Sequence, residues 1–462
     1  MKELTVNDIV NVCHAKLLSG DANTTINTFS KDTRTILPGD LYIGIKGENF
    51  DGNIFCKKAL ELGAIGCITD SNLDESILHE YKSKIILQVE NSIVALQKLA
   101  NYKRKLYNIP VIAITGSVGK TSTKDIIASV VSQKYKVLKT EGNLNNQIGL
   151  PLTLLKLKDH DALVVEMGMG NLGEINNLSK TAEPTLAVIT NIGTSHIGNL
   201  GSRENILKAK LEILNGLSSD GKLIINNDND LLHKYYEENK NDKILTFGIE
   251  ENSLLNPSNI NYNKDDSTYD ITIDNKQYTV KVPVGGKHFI YNSLAAISVG
   301  LQLNIPITDI ILGIQNFNLT KSRMEINHTK DNIIVINDAY NASYDSMKAA
   351  LEYLKGYSNQ RKIAVLGDML ELGDFSKQLH EKVGNEVVKN NIDILVTIGK
   401  EAKNIYQKSI DLGFNSNNAF SFDNNAEAIQ KINEILQPND VVLLKASHGM
   451  NFAEILNGIL GM

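Results

Sequence analysis

Residues 111–123 read VIAITGSVGKTST, a short run of β-branched apolar residues that enters a loop flanked by Gly116 and Gly119 and leaves it through Lys120 and Thr121. A strand, a glycine turn and a helix start in that order form a phosphate-binding arrangement: the first amides of the helix point at the anion, and glycine lets the backbone come close. Lys120 adds a point charge, and Thr121 offers a hydroxyl to a magnesium ion. The spacing is shorter than in the common loop G-x-x-x-x-G-K-[ST], because Ile114 stands where that pattern has its first glycine. An ordinary GTPase or kinase of that type is therefore disfavoured.

On the C-terminal side, ALVVEMG (162–168), TLAVITNIG (185–193) and KLIINND (222–228) alternate with helical stretches, one of them running from about Arg203 to Asn215. Short apolar runs separated by helices predict a parallel sheet covered on both faces, and ligands collect at the carboxyl ends of its strands. Glu166, Asn191 and His196 fall there, beside the phosphate loop. Alternation in ITIDNKQYTVKV predicts an antiparallel hairpin at the edge of this sheet, and GGKHFIYNSLAAISVGL (285–301) a glycine turn and a helix. Further on, NIIVIND (332–338), KIAVLGD (362–368), DILVTIG (393–399) and DVVLLK (440–445) predict a second parallel, Rossmann-like α/β unit with Asp338 and Asp368 at strand ends. Ahead of the phosphate loop, FSKDTRTILPGDLYIGIKGENFDGN (29–53) reads from its residues alone as a solvated β-hairpin surface. Ser30, Asp32, Arg34, Lys46 and Asp51 are also the groups of a polar pocket on loops. The expected organisation is α/β with three domains, at 1–107, 108–319 and 320–462, the central parallel sheet carrying the phosphate loop.

At 462 residues the chain is long enough for two or three domains with cores of their own. Its net charge of −6, with no basic block, argues against nucleic acid as a partner. MKELTVNDIV lacks an apolar leader region and no apolar run approaches the length of a membrane span, so a cytoplasmic chain without membrane insertion is expected. Cys13, Cys56 and Cys67 are too far apart for a CxxC pair and read as packing residues. Only five of the 47 basic residues are arginines, so an arginine inside a motif, as at Arg34 and Arg323, is a cue to bidentate geometry.

Three residues stay open when judged by their surroundings alone. Glu166 is either a solvent-facing strand end or the carboxylate that holds magnesium with Thr121. His196, in the glycine-rich TNIGTSHIGN, reads as a ligand or substrate contact, or as an exposed loop histidine. Lys210, in SRENILKAKLEIL, reads as a solvated surface lysine.

Motifs spread over all three units resemble the Mur ligases, the amide-bond ligases of bacterial cell-wall precursor synthesis. They are DTRTILPGDLYIGIKG with Asp51 and Gly52, TGSVGKTSTK (115–124), TEGNLNNQIGLPLTLL (140–155), EMG with GEI (166–175), TNIGTSH (190–196) and AKLEIL (209–214). His288 with Asn292, INDAYNAS (336–343), GDMLELG (367–373) and LLKASHGM (443–450) complete the set. NDAYNAS and GDMLELGDFSKQLH look most like the branch that joins D-alanyl-D-alanine to UDP-N-acetylmuramoyl-tripeptide, and the DNPR signature of the branch adding the third amino acid is absent from the chain.

The resemblance implies activation of a carboxylate by ATP as an acyl phosphate and attack by the amine of D-alanyl-D-alanine, chemistry that needs positioning and charge neutralisation more than a nucleophilic side chain. It implies that Gly116, Ser117, Val118, Gly119, Lys120, Thr121 and Ser122 cradle the phosphates, with Lys120 on the transferred group. Thr121 and Glu166 then bind one Mg2+, and His196 a second together with Lys210, which family members carbamylate with CO2. Lys120, His196 and Lys210 form the catalytic set on this reading. Asn292 is expected near the adenine, Arg323 and Asp338 on the nucleotide from the third domain, and Ser30 and Arg34 in the UDP pocket. Asn143, Asn145 and Asn146 fit the loop that holds the muramoyl-peptide, and a monomer is expected. Three positions depart from the family pattern: Asn53 where many relatives have histidine, Tyr344 where proline is common, and His448 where the usual Lys-Gly-Ser-Arg has arginine. Competing readings are another ligase of the superfamily, of third-residue-adding or folylpolyglutamate type, and a non-catalytic nucleotide-binding scaffold. The complete Lys120, Thr121, Glu166, His196 and Lys210 set opposes the second.

Overall fold

In the computed structural model, which describes residues 3–47 and 50–461, the run VIAIT forms the strand Val111–Thr115, buried at every position. It is an inner strand of a six-stranded, wholly parallel sheet in the order Ile244–Phe247, Lys222–Asn226, Leu186–Ile189, Val111–Thr115, Ala162–Glu166, Val137–Lys139. After Val111–Thr115 the chain lays down the two strands on one side and then crosses to the other. That strand is thus a topological switch point, where neighbouring loops diverge and leave a crevice at the carboxyl ends. Helices Lys120–Val131 and Lys287–Gln302 pack on each other beside it.

ITIDNKQYTVKV folds into antiparallel strands, Ser267–Ile273 and Lys276–Val282, turning through Asp274 and Asn275 at positive φ. With Ser258–Tyr262 these make a separate three-stranded sheet and are not an edge of the parallel one. Their alternation buries Tyr269, Ile271, Val280 and Val282, and this apolar face packs on the helices Lys287–Gln302 and Ile307–Gln315. The strands thus find a helical face to cover, and the parallel sheet keeps Ile244–Phe247 as its edge.

Downstream, Glu325–His328 runs antiparallel to Ile334–Asn337, followed across the sheet by the parallel strands Val441–Lys445, Lys362–Gly367, Ile394–Ile398 and Ala419–Phe422. Upstream, a five-stranded sheet joins Lys16–Ser19, Ile85–Gln88, Gly66–Thr69, Leu41–Ile43 and Phe29–Ser30, parallel apart from the first. Phe29–Ser30 and Leu41–Ile43 are not arms of a solvated hairpin but parallel neighbours, with Leu41, Tyr42 and Ile43 all buried, and antiparallel pairing among the described residues of 29–53 is confined to the bridge Lys46 with Asp51. Three consecutive apolar residues are the mark of a strand covered on both faces. Glu48 and Asn49 of this stretch lie outside the described residues. We propose 1–107, 108–319 and 320–462 as the domains, since each sheet is contained in one of these spans. The three cysteines are buried and free, and among the described residues no helix is long and apolar enough to cross a membrane.

Asn53 organises the loops at the carboxyl end of the N-terminal sheet. Its Nδ2 donates to Asp51 Oδ1 (2.8 Å) and Asp70 Oδ1 (2.7 Å), while its Oδ1 accepts from Thr69 Oγ1 (2.8 Å) and the Asp70 amide (3.2 Å). All four bonding positions of a buried carboxamide are thereby used. A Cβ on Gly44 would stand 2.7 Å from Asn53 Oδ1, so glycine there makes the room. Asn53→Ala strands Thr69 and Asp70 without their partner and is expected to lower stability by about 2–3 kcal/mol in urea unfolding; a change under about 0.5 kcal/mol would refute this role.

Candidate active site

The phosphate loop is shaped by two glycines and held by a second loop. Gly116 has φ 153° and a Cβ there would lie 1.9 Å from Thr190 Oγ1; Gly119, at φ 82°, opens the helix Lys120–Val131. Asn191 accepts from the Val118 amide (3.0 Å) and donates to the Val118 carbonyl (2.9 Å), the Ser117 amide donates to the Asn191 carbonyl (3.0 Å), and the Gly193 amide donates to Ser117 Oγ (2.8 Å). With its polar groups tied down from behind, the loop is held open at the front. Lys120 is half-buried, and its Nζ donates to the Gly116 (2.9 Å) and Ser117 (3.3 Å) carbonyls; burial pushes its pKa down, with Glu166 opposing and Arg323 adding to the shift.

Behind Lys120, Thr121 Oγ1 donates to Glu166 Oε2 (2.9 Å) and Asn145 Nδ2 to Glu166 Oε1 (2.8 Å). Glu166 is 2% exposed, so of its two readings the structure contradicts the solvent-facing strand end. Asn145, expected at the substrate, holds this carboxylate. Lys210 is corrected more sharply. It is 1% exposed on the helix Arg203–Leu211, with no hydrogen bond or ion pair among the described residues, and burial followed by the charge of Lys120 drives its pKa well below the usual lysine value. Lys208, Lys210 and Glu212 share no simple face with the apolar positions of this stretch, which is why the local pattern suggests solvent.

Residues from the third unit complete the site. Arg323 Nη2 donates to Thr121 Oγ1 (3.2 Å), and its guanidinium lies 3.9 Å from the centre of the Tyr340 ring. Asp338 accepts from Lys445 Nζ at 2.5 Å, and Lys445 is 1% exposed. Asp345 Oδ2 accepts from Thr194 N (2.8 Å) and Thr194 Oγ1 (2.9 Å), and Asp125 Oδ2 accepts from Thr320 N (3.1 Å) and Thr320 Oγ1 (2.7 Å). These contacts enclose a cavity of about 1070 Å³, partly open to solvent, walled by the phosphate loop, His288, Asn292, Arg323, Met324 and Asp338. Asn292 Oδ1 accepts from Thr123 Oγ1 (3.0 Å), leaving Asn292 Nδ2, like Arg323 Nε, buried without a partner on that wall.

A second cavity, of about 1090 Å³, shares Ser195 and Asn341–Ser343 with the first and adds Asn143, His196, Tyr340, Glu371 and His448. His196, at φ 63°, has Nδ1 2.6 Å from Glu371 Oε2, although the alignment is not that of a hydrogen bond. Asn146 caps the turn before Gly149–Leu155, accepting from the Ile148 (3.1 Å) and Gly149 (2.9 Å) amides. Ser30 and Arg34 line neither cavity; Ser30 bonds the backbone of Asp32, and Arg34, its side chain 86% exposed, pairs with the Asp32 carboxylate at 2.5 Å. Tyr340, Asp345, Glu371 and Lys445 are the residues that sequence reasoning missed, although all but Asp345 lie inside its quoted motifs.

Residues 114–300 match the Mur ligase middle domain and residues 322–448 the Mur ligase glutamate ligase domain. The UDP-N-acetylmuramoyl-tripeptide–D-alanyl-D-alanine ligase of Bacillus subtilis is 37% identical over 100% of this chain and 99% of its own length. The chain belongs to the Mur ligases. A crystal structure of MurF from Acinetobacter baumannii superposes on this Mur ligase with a TM-score of 0.91 at 28% identity, each chain covered in full. The MurF ligase of Thermotoga maritima in complex with ADP does so with a TM-score of 0.82 at 28% identity, over 94% of this chain and 97% of that one.

A nucleotide fits the chemistry of this Mur ligase: Asn292 and Arg323, each with a buried donor left without a partner (Nδ2 and Nε), line the same cavity as the phosphate loop. A magnesium ion fits Thr121 and Glu166, which offer hard oxygen donors. For a second ion, among the described residues no group of three or more His, Cys, Asp or Glu side chains gathers, so His196 needs an anionic companion. Between the units, a Cβ on Gly198 would stand 2.6 Å from the Gly373 amide and 2.7 Å from the Glu371 carbonyl. Gly198→Ala is expected to hold the third unit off the site and cut ATP turnover at least tenfold at nearly unchanged melting temperature; ADP release within twofold of the parent would refute this.

Proposed function

We propose that this Mur ligase joins D-alanyl-D-alanine to UDP-N-acetylmuramoyl-tripeptide, with ATP converted to ADP and phosphate, and that it works in the cytoplasm as a monomer. One observation carries the reading: the cavity built on the phosphate loop shares Ser195 and Asn341–Ser343 with a second cavity that has no phosphate-binding element. This is the layout needed to make an acyl phosphate on one side and deliver an amine from the other. The full-length likeness to ligases named for this reaction supports it.

In this reading the amides that open the helix Lys120–Val131 and the Lys120 ammonium hold the phosphates, and Lys120 leaves the loop carbonyls to follow the transferred group. Arg323 and Asn292 donate to the nucleotide through the nitrogens they leave free, and Asp338 keeps Lys445 in place at the third unit's edge of the cavity. Thr121 and Glu166 would hold one Mg2+, and His196 with carbamylated Lys210 a second; when bound, the metal neutralises phosphoryl charge. Asn145 orients Glu166 for this task. Lys210 is suited to carbamylation because burial lowers its pKa and so favours the neutral amine, the form that attacks CO2. Asn143 and Asn146 frame the muramoyl-peptide side, and Ser30 and Arg34 the UDP.

Purified protein given UDP-muramoyl-tripeptide, ATP and D-alanyl-D-alanine is expected to release ADP and form the pentapeptide; ADP release with single amino acids but not with the dipeptide would overturn the assignment. Lys120→Ala is expected to lose turnover by a factor of 100 or more, about 3 kcal/mol of transition-state stabilisation, with the fold intact. Near-normal turnover by that variant would remove Lys120 from the mechanism. Lys210→Ala is expected to lose most activity and to regain part of it with acetate or propionate, whereas bicarbonate stimulates only the CO2-stripped parent. Intact-peptide mass showing unmodified Lys210 in fully active enzyme would refute the carbamate.

A further inference from the structure

The second cavity carries a recognition element for the amine substrate. The inference rests on the dipeptide reading above. A dipeptide brings a carboxylate into a half-enclosed site, and an anion there needs a donor or a cation to replace its water.

Of the side chains on this wall, only His196 and His448 can carry positive charge. The proposed function gives His196 to a metal ion, and its Nδ1 lies 2.6 Å from Glu371 Oε2. The nearby cations are spent or elsewhere: Lys445 is 1% exposed and bound to Asp338 at 2.5 Å, and Arg323 lines the nucleotide cavity. His448 is exposed and has no side-chain hydrogen bond or ion pair among the described residues; its one ring neighbour is Tyr340, with centroids 6.1 Å apart. It begins the short turn His448–Met450, just after the buried strand Val441–Lys445, so a rigid element fixes its position.

Reach agrees. On the proposed function, Ser195 and Asn341–Ser343, the wall common to both cavities, are where an acyl phosphate would meet the amine, and His448 lines only the second cavity. An extended dipeptide spans about 7 Å, at roughly 3.5 Å per residue, so its carboxylate lies well beyond that wall when its amine is at it. We infer that His448 binds the terminal carboxylate of the acceptor dipeptide and so selects a dipeptide acid over its amide.

The test compares D-alanyl-D-alanine with D-alanyl-D-alaninamide, which keeps the amine and lacks the carboxylate. His448→Ala is expected to raise KM for the acid about tenfold or more while leaving KM for the amide, for ATP and for UDP-muramoyl-tripeptide within twofold. His448→Arg is expected to restore the preference for the acid. Equal losses with acid and amide, or an unchanged KM for the acid, would overturn the proposal. A parent enzyme that releases no ADP with the acid but does so with another amine overturns the functional reading itself, and this inference with it.

Discussion

A buried lysine that makes no hydrogen bond or ion pair among the described residues is the constraint to which the middle of this molecule answers. Lys210 is 1% exposed, and the charge nearest to it in effect is another cation, Lys120. An uncompensated ammonium in such a place costs several kcal/mol, so burial favours the neutral amine. Because its folded pKa lies below its unfolded value, the unfolded chain binds the extra proton, and the group opposes folding increasingly as pH falls below the unfolded lysine value. A protein retains such a burden where the neutral amine has a use. On the proposed carbamate, the same position becomes an anion, and the repulsion from Lys120 turns into attraction.

The second constraint lies between the units. Asp125 with Thr320, Thr121 with Arg323, Thr194 with Asp345 and the Gly198 amide with the Glu371 carbonyl stand around the two cavities, each joining the middle unit to the third. Two of these meet the loop 190–198, whose other face braces the phosphate loop through Asn191 and Ser117. A shift of the third unit is therefore felt at the phosphate-binding amides. Gly193 and Gly198 permit this closeness: a Cβ at Gly193 would meet the Asp345 carboxylate at 2.3 Å, and one at Gly198 would meet backbone.

Much of this was legible in the chain. The inner strands of the two six-stranded sheets were read because both faces are buried and their apolar runs are unbroken, as in Val111–Thr115 and Val441–Lys445, whereas the inner strands Gly66–Thr69 and Ile85–Gln88 of the N-terminal sheet were not. The strands Val137–Lys139, Ile244–Phe247 and Ala419–Phe422 escaped, since they are short, lie at sheet edges and mix in polar residues. The stretch 29–53 was misread because its turn residues outweigh the three apolar positions that decide its burial. Lys210 could not be read locally at all, as what buries it comes from elements distant in sequence. The Glu166 pairing with Thr121 followed from strand order, whereas Asp345 and Glu371 act across a unit boundary that no local pattern encodes.

The scarcity of arginine shows how the nucleotide side is built. Arg34, Arg203 and Arg361 each place two guanidinium nitrogens on one carboxylate, of Asp32, Asp230 and Asp440, and Arg104 gathers the carbonyls of Tyr107, Ala182 and Glu183. The chain thus uses arginine where a planar fork is needed and lysine elsewhere. Arg323 alone has neither a carboxylate nor a set of carbonyls: one nitrogen reaches Thr121, the flat face rests on Tyr340, and Nε is buried and open. Stacking fixes the plane of the group without using its donors, so the free edge is presented to the cavity already oriented. A lysine there would have no plane to fix. The residue whose fork the protein itself leaves unfilled is the one that stands where a phosphate would complete it.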